Sequence, residues 1–268
     1  MFKQRLISGI VLVAILAAVL YFGGMPTFVM TAIVSLIGCY ELLRIFHAEK
    51  TAVGVIVYTV SILYYILLMF ELEDFILPLA LMLLIALLAC YVLTFPTFHF
   101  EQIAAGFFGF FYVTMMLSYV YQIRTLKDGG IFVVLLFLSS WGNDTLAYCA
   151  GRLFGRHKMS PHLSPKKTIE GAVGGIVGAG LLGFIYSLIV KDMIRTDYSL
   201  ALIFTLVCMI GGLISIIGDL GASAIKRNYE IKDYGTLIPG HGGILDRFDS
   251  VIFIAPMIYY FLVYTVGA

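Results

Sequence analysis

The sequence predicts an all-α, polytopic integral membrane protein, and three observations carry that expectation. Hydrophobic residues make up 61% of the 268 residues and charged residues only 12%, where a soluble domain carries about 25% charged residues. Mean hydropathy is +1.01. Apolar stretches near the ~20 residues needed to cross a bilayer recur along the whole chain, joined by short polar connections.

The runs cover residues 6–22, 28–43, 53–70, 75–95, 103–121, 131–154, 169–190, 200–218 and 248–266, about nine transmembrane helices in all. The first follows Lys3 and Arg5, as the apolar core of a signal peptide would. No small-residue cleavage site follows, and Gly24-Met25-Pro26 leads straight into the second run, so it reads as a retained anchor. The chain then divides into about five N-terminal transmembrane helices over 1–130 and a C-terminal transmembrane region over 131–268, where the polar residues suited to chemistry concentrate. That second region holds about four helices and two polar loops. Cys39, Cys90, Cys149 and Cys208 lie inside apolar runs without CxxC spacing and read as buried packing thiols.

Lysine and arginine set the orientation. With the N-terminus in the cytoplasm, 13 of the 17 basic residues fall inside; Arg124, Lys127, Lys191 and Arg195 fall outside. Loops 155–168 and 229–247 then share the cytoplasmic side, and Ala268 lies outside. Glu71, Glu73 and Asp74 form an outer, solvated loop. Glu41 and Arg44, three apart near the inner end of the second run, are expected to pair with each other.

Charge concentrates between Gly218 and Asp249. Asp219 falls on helical spacing with Ser223, Lys226 and Arg227, so one helix face carries a carboxylate, a hydroxyl and two cations. Pro239-Gly240-His241-Gly242-Gly243 breaks any helix. Asp246 and Asp249, three apart, then open the last apolar run. Carboxylates from two helix ends, a cationic rim and a glycine loop suit a divalent metal with phosphates.

A second constellation spans 141–171. Asn143 and Asp144 lie about two turns inside the sixth run, where an ionisable group marks function by default. The alternative is a purely structural salt bridge from Asp144 to Arg152 or Lys167. Downstream, Ser164-Pro165-Lys166-Lys167-Thr168 precedes the seventh run. Thr168 is placed to cap that helix, and two lysines beside a helix start make an anion cradle. It is not a Walker loop, since GxxxxGK[ST] is absent. His157 and His162 read as ordinary loop histidines, and His241 as a donor to phosphate. Gly171, Gly174, Gly175, Gly178, Gly180 and Gly183 form a small-residue face for close helix packing.

From Ser223 to Asp249 these residues resemble the signature of the phosphatidate cytidylyltransferases (CDP-diacylglycerol synthases): Ser223, Lys226-Arg227, Lys232-Asp233, Pro239, His241-Gly242-Gly243, Asp246-Arg247 and Asp249. Asp144, Gly151-Arg152, Ser164-Pro165, Lys167-Thr168, Glu170-Gly171 and Gly218-Asp219-Leu220 look like the same family. Ala222 stands where many members have glutamate. The first 130 residues or so add only hydrophobicity.

The resemblance implies that CTP and phosphatidic acid react to CDP-diacylglycerol and pyrophosphate, with Mg²⁺ required and a second cation, monovalent or divalent, left open. It implies metal binding by Asp144, Asp219, Asp246 and Asp249. Lys226, Arg227, Arg247, Lys166 and Lys167 would hold phosphates, and His241 with the Gly242-Gly243 backbone would steady pyrophosphate. Asp249 has the alternative role of orienting Arg247. Ser164, Thr168 and Ser223 complete the substrate-binding set. The expected partners are the two substrates, membrane lipids and a second copy in a homodimer, with no nucleic acid. The active site is expected to face the cytoplasm from the cell membrane.

Two other readings use the same residues. A CTP-dependent kinase acting on polyprenol alcohols would release CDP in place of pyrophosphate. A cation-coupled transporter would use Asp144 and Asp219 as an ion site, but its polar residues would sit near mid-membrane in two broken helices.

Overall fold

A computed structural model describes residues 2–194 and 199–266, with side chains from residue 7 onward. The side chains of Lys3 and Arg5, together with Arg195 and Ala268, lie outside the described residues.

All nine apolar runs form helices. Within a bilayer every backbone N–H and C=O must be paired internally, and a helix does this within one segment. The helices are α1 (Phe2–Phe22), α2 (Gly24–Ile45), α3 (Ala52–Met69), α4 (Ile76–Thr94), α5 (Phe100–Gly109), α6 (Met116–Thr125), α7 (Gly129–Phe137), α8 (Asn143–Phe154), α9 (Ile169–Val190), α10 (Leu200–Asn228) and α11 (Leu245–Val266). A π-helical segment, Phe110–Met115, joins α5 to α6, and a second, Leu138–Gly142, joins α7 to α8. Among the described residues eight helices are long and apolar enough to cross a membrane, and α1 adds a shorter apolar stretch over Ile7–Phe22.

As the helical spacing of Asp219, Ser223, Lys226 and Arg227 implies, α10 continues past the apolar run to Asn228, with Lys226 and Arg227 in its last turn, where cations complement the helix dipole. The basic segment expected as loop forms an antiparallel hairpin, β1 (Lys158–Ser160) with β2 (Ser164–Thr168). Cys39, Cys90 and Cys208 are buried as expected, but Cys149 is exposed on α8.

The chain forms two compact units. Unit 1 comprises Met1–Val13, Phe28–Ser118 and Asp233–Arg247; unit 2 comprises Ala14–Thr27, Tyr119–Lys232 and Phe248–Ala268. In unit 1, α3 packs on α4 and α5, around Tyr64, Leu83, Leu87 and Phe110. Buried hydroxyls pair across helices there: Ser35 with Tyr65 at 2.6 Å, Ser61 with Thr114 and Tyr64 with Ser118, both at 2.8 Å. In unit 2, α9 packs on both α8 and α10 through the glycine face. A Cβ on Gly175 would meet Asn143 Oδ1 at 2.7 Å and Ala147 Cβ at 2.8 Å, and one on Gly183 would meet Cys208 Sγ at 2.8 Å. Only glycine allows these backbones so close.

Candidate active site

Unit 2 encloses a cavity of about 380 Å³ between α8, the hairpin, the start of α9 and the second half of α10. Asn143, Asp144, Tyr148 and Arg152 reach it from α8; Ser164, Lys166, Lys167 and Thr168 from β2; Ile216 and Asp219 from α10. The first two open α8 just after the π segment, and neighbours on a helix point about 100° apart: Asn143 is fully buried while Asp144 is exposed.

The hairpin is tied down at both ends. Thr168 caps α9 as expected, its Oγ1 accepting from Gly171 N–H at 3.1 Å. A Cβ on Gly151 or Gly155 would meet that same oxygen at 2.9 or 2.8 Å. The Glu170 carboxylate accepts from the Arg156 N–H at 3.0 Å and the His157 N–H at 3.2 Å, and lies 2.6 Å from His157 Nδ1. His157 is therefore engaged with Glu170. Lys167, at the end of the hairpin, forms an ion pair with Asp219. Arg152 donates to the Tyr148 hydroxyl at 3.1 Å.

Unit 1 holds the glycine loop. Gly240 and Gly242 have φ of +79° and +86°, which L side chains rarely adopt. Ile238 N–H donates to Gly242 O, and His241 N–H to Ile238 O, each at 2.9 Å. Asp246 Oδ2 accepts from Tyr234 N–H at 2.8 Å and from Gly243 N–H at 2.9 Å. The Gly243 N–H is thus spent on Asp246 and does not point at a ligand. On α1, Ser8 Oγ donates to Pro239 O at 3.0 Å and lies 2.9 Å from His241 Nδ1.

Glu41 and Arg44 do not hold each other as expected. Each reaches the loop. Glu41 accepts from Ile244 N–H at 3.0 Å and Leu245 N–H at 2.8 Å, while Arg44 donates to Tyr234 O at 3.3 Å. The first N–H groups of a buried helix need acceptors, and a carboxylate supplies two.

The remaining predicted residues sit at helix ends. Ser223 and Lys226 are half-buried on α10 and Arg227 is exposed, its Nη1 donating to Ile231 O at 3.2 Å. Asp249 is buried and accepts from Ser250 N–H at 2.8 Å. Arg247 Nε is buried with no hydrogen-bond partner among the described residues. The structure thus gathers Asp144, Ser164, Lys166, Lys167, Thr168 and Asp219 in one cavity, and His241, Gly242 and Gly243 in one loop that Asp246 holds from the first turn of α11.

Residues 3–265 match the cytidylyltransferase family. The chain belongs to that family. Relatives of this cytidylyltransferase include the phosphatidate cytidylyltransferase of Bacillus subtilis (strain 168), 32% identical over 266 residues and covering 97% of each chain. That of Staphylococcus saprophyticus is 34% identical over 261 residues, 96% of this chain and 97% of its own. That of Thermotoga maritima is 38% identical over 165 residues, 61% of this chain and 60% of its own.

For this cytidylyltransferase, sequence reasoning passed over Ser8, named Glu170 only as part of the family likeness without a role, and gave Glu41 the wrong partner. All three bind backbone or loop groups, which residue type alone does not announce. The one available signal was Glu41 itself, a carboxylate inside an apolar run.

Proposed function

We propose that the chain transfers the cytidylyl group of CTP to phosphatidic acid, giving CDP-diacylglycerol and pyrophosphate at the cytoplasmic face of the membrane. The observation that carries this reading is the cavity in which Asp144 and Asp219 stand with Lys166, Lys167 and Arg152, at the ends of membrane-spanning helices. The activity named for relatives at 32% and 34% identity supports it.

In the reaction a monoester oxygen of the lipid phosphate attacks the α-phosphorus of CTP. The bond from that phosphorus to the bridging oxygen breaks, and the electron pair leaves with pyrophosphate. The attacking oxygen is already anionic, so the protein's task is to neutralise charge and align the two phosphates. Lys166 and Lys167 hold phosphate oxygens in the cavity, with Ser164 and Thr168 beside them. Asp219, paired with Lys167, keeps that ammonium inside the cavity. In unit 2, Ser223, Lys226 and Arg227 at the end of α10 are the groups proposed for the triphosphate; in unit 1, His241 and Gly242 are those proposed for pyrophosphate and Arg247 for phosphate.

Mg²⁺ fits this donor set. It takes oxygen ligands, typically one or two carboxylates completed by substrate phosphates, and two carboxylates, Asp144 and Asp219, line the cavity. Asp144 and Asp219 would hold it in the cavity. Asp246 in unit 1 and Asp249 in unit 2 are each proposed as a carboxylate for a cation; a second ion, monovalent or divalent, belongs to the same proposal. When bound, the cation offsets the negative charge of the phosphates. A homodimer is the assembly the family likeness supports.

The test is a purified preparation in detergent with α-labelled CTP and phosphatidic acid, with and without Mg²⁺. Label in CDP-diacylglycerol, stoichiometric pyrophosphate and dependence on Mg²⁺ are expected. Label released as CDP, or transfer to a polyprenol alcohol in place of phosphatidic acid, would sink the reading.

A further inference from the structure

Glu41 lies on α2, far in sequence from every residue of the proposed chemistry, yet only 3% of its surface is exposed. Its two oxygens take the N–H groups of Ile244 and Leu245. Its carboxylate occupies the space that a Cβ would need on both Gly235 and Gly243. One turn on, Arg44 holds the Tyr234 carbonyl. From within the loop, Asp246 Oδ2 takes the N–H groups of Tyr234 and Gly243. Four backbone donors are thus shared between two carboxylates, two for each.

This arrangement has a chemical consequence. An uncapped helix start attracts anions, and α11 begins in the loop of a phosphate-handling enzyme. Glu41 takes its first donors internally, so phosphate does not compete for them. Residues 243–245 are then fixed on one side by Glu41 and on the other by Asp246. The position of the Asp246 carboxylate follows from both.

We propose that Glu41 is a positioning residue: it fixes the loop of residues 234–245 and with it the place of the Asp246 carboxylate. This rests on the reading of Asp246 as a cation ligand. Groups that orient a ligand from outside its coordination shell typically change metal affinity by about 10–100-fold when removed.

The experiment uses the full chain in detergent, comparing wild type with Glu41→Gln and Asp246→Asn. Glu41→Gln preserves shape but leaves one oxygen for two donors. Hydrogen–deuterium exchange is expected to rise about tenfold or more in peptides covering residues 234–246, with α9 and α10 unchanged. The Mg²⁺ concentration for half-maximal activity is expected to rise about tenfold, with KM for phosphatidic acid within about twofold. Unchanged exchange in Glu41→Gln overturns the positioning role. Faster exchange with an unmoved Mg²⁺ requirement overturns its link to the cation. If Asp246→Asn keeps the wild-type Mg²⁺ requirement, the reading of Asp246 fails independently of Glu41. Should Glu41→Gln not fold, Glu41→Asp, which keeps the charge and shortens the reach, gives the same two readouts.

Discussion

Ser8 on α1 donates to the Pro239 carbonyl at 3.0 Å and lies 2.9 Å from His241 Nδ1, so one hydroxyl ties the imidazole to the backbone of its own loop.

Replacing Ser8 with alanine removes that restraint. One neutral hydrogen bond contributes about 1 kcal/mol, or roughly fivefold in rate when it acts on a reacting group. Ser8→Ala is expected to lower kcat/KM by roughly that factor, and Ser8→Thr, which keeps the hydroxyl, to retain most of it. Steady-state assays in detergent decide. Wild-type rates in Ser8→Ala beside an inactive His241→Ala would mean that the ring needs no support from α1.

Lys167 and Asp219 act as a pair and should fail as one. Each side chain is about one-quarter exposed, so removing either leaves an opposite charge partly desolvated beside the substrate. Lys167→Met and Asp219→Asn should each lower kcat/KM by about 100-fold, and the double substitution by little more than the worse single one. Additive losses would show that the two residues work in separate steps.

The helix faces of unit 2 give a stability test. Gly175→Ala forces a methyl to within 2.7 Å of Asn143 Oδ1 and 2.9 Å of Asn143 O, whereas a Cβ on Gly221 meets nothing within 4 Å. Overpacking of this kind costs about 1–3 kcal/mol, while alanine for glycine in an open helix position gains up to about 1 kcal/mol. Thermal unfolding in detergent should therefore move down for Gly175→Ala and stay level or rise for Gly221→Ala. Equal midpoints would mean that α8 and α9 can part without cost.

The same physics explains what could be read in advance. The membrane runs were legible because, in lipid, length and apolarity alone decide that a segment is helical. The cap at Thr168 and the glycine face were legible because each has a local spacing. Partners that meet across the fold leave no such trace: Lys167 and Asp219 are 52 residues apart, Ser8 and His241 are 233 apart, and Glu41 and Leu245 are 204 apart. The π segment before Asn143 was equally hidden, since a π turn and an α turn can share one composition.

Asn143 carries the last prediction. It is fully buried at the cavity, and neither Oδ1 nor Nδ2 has a hydrogen-bond partner among the described residues. Gly175 and Gly212 both yield space to it, since a Cβ on either would meet its Oδ1 at 2.7 or 3.0 Å. A buried amide without partners costs about 1–3 kcal/mol, so truncation relieves a penalty while it opens a small void. Asn143→Ala should therefore shift the unfolding midpoint by no more than the equivalent of about 1 kcal/mol. If the amide serves the cavity's ligand, the same variant should lose at least tenfold in kcat/KM for CTP. Such a split between stability and rate marks a group kept for binding. A large loss of stability with unchanged turnover per folded molecule would instead mark Asn143 as packing, and would remove it from the site.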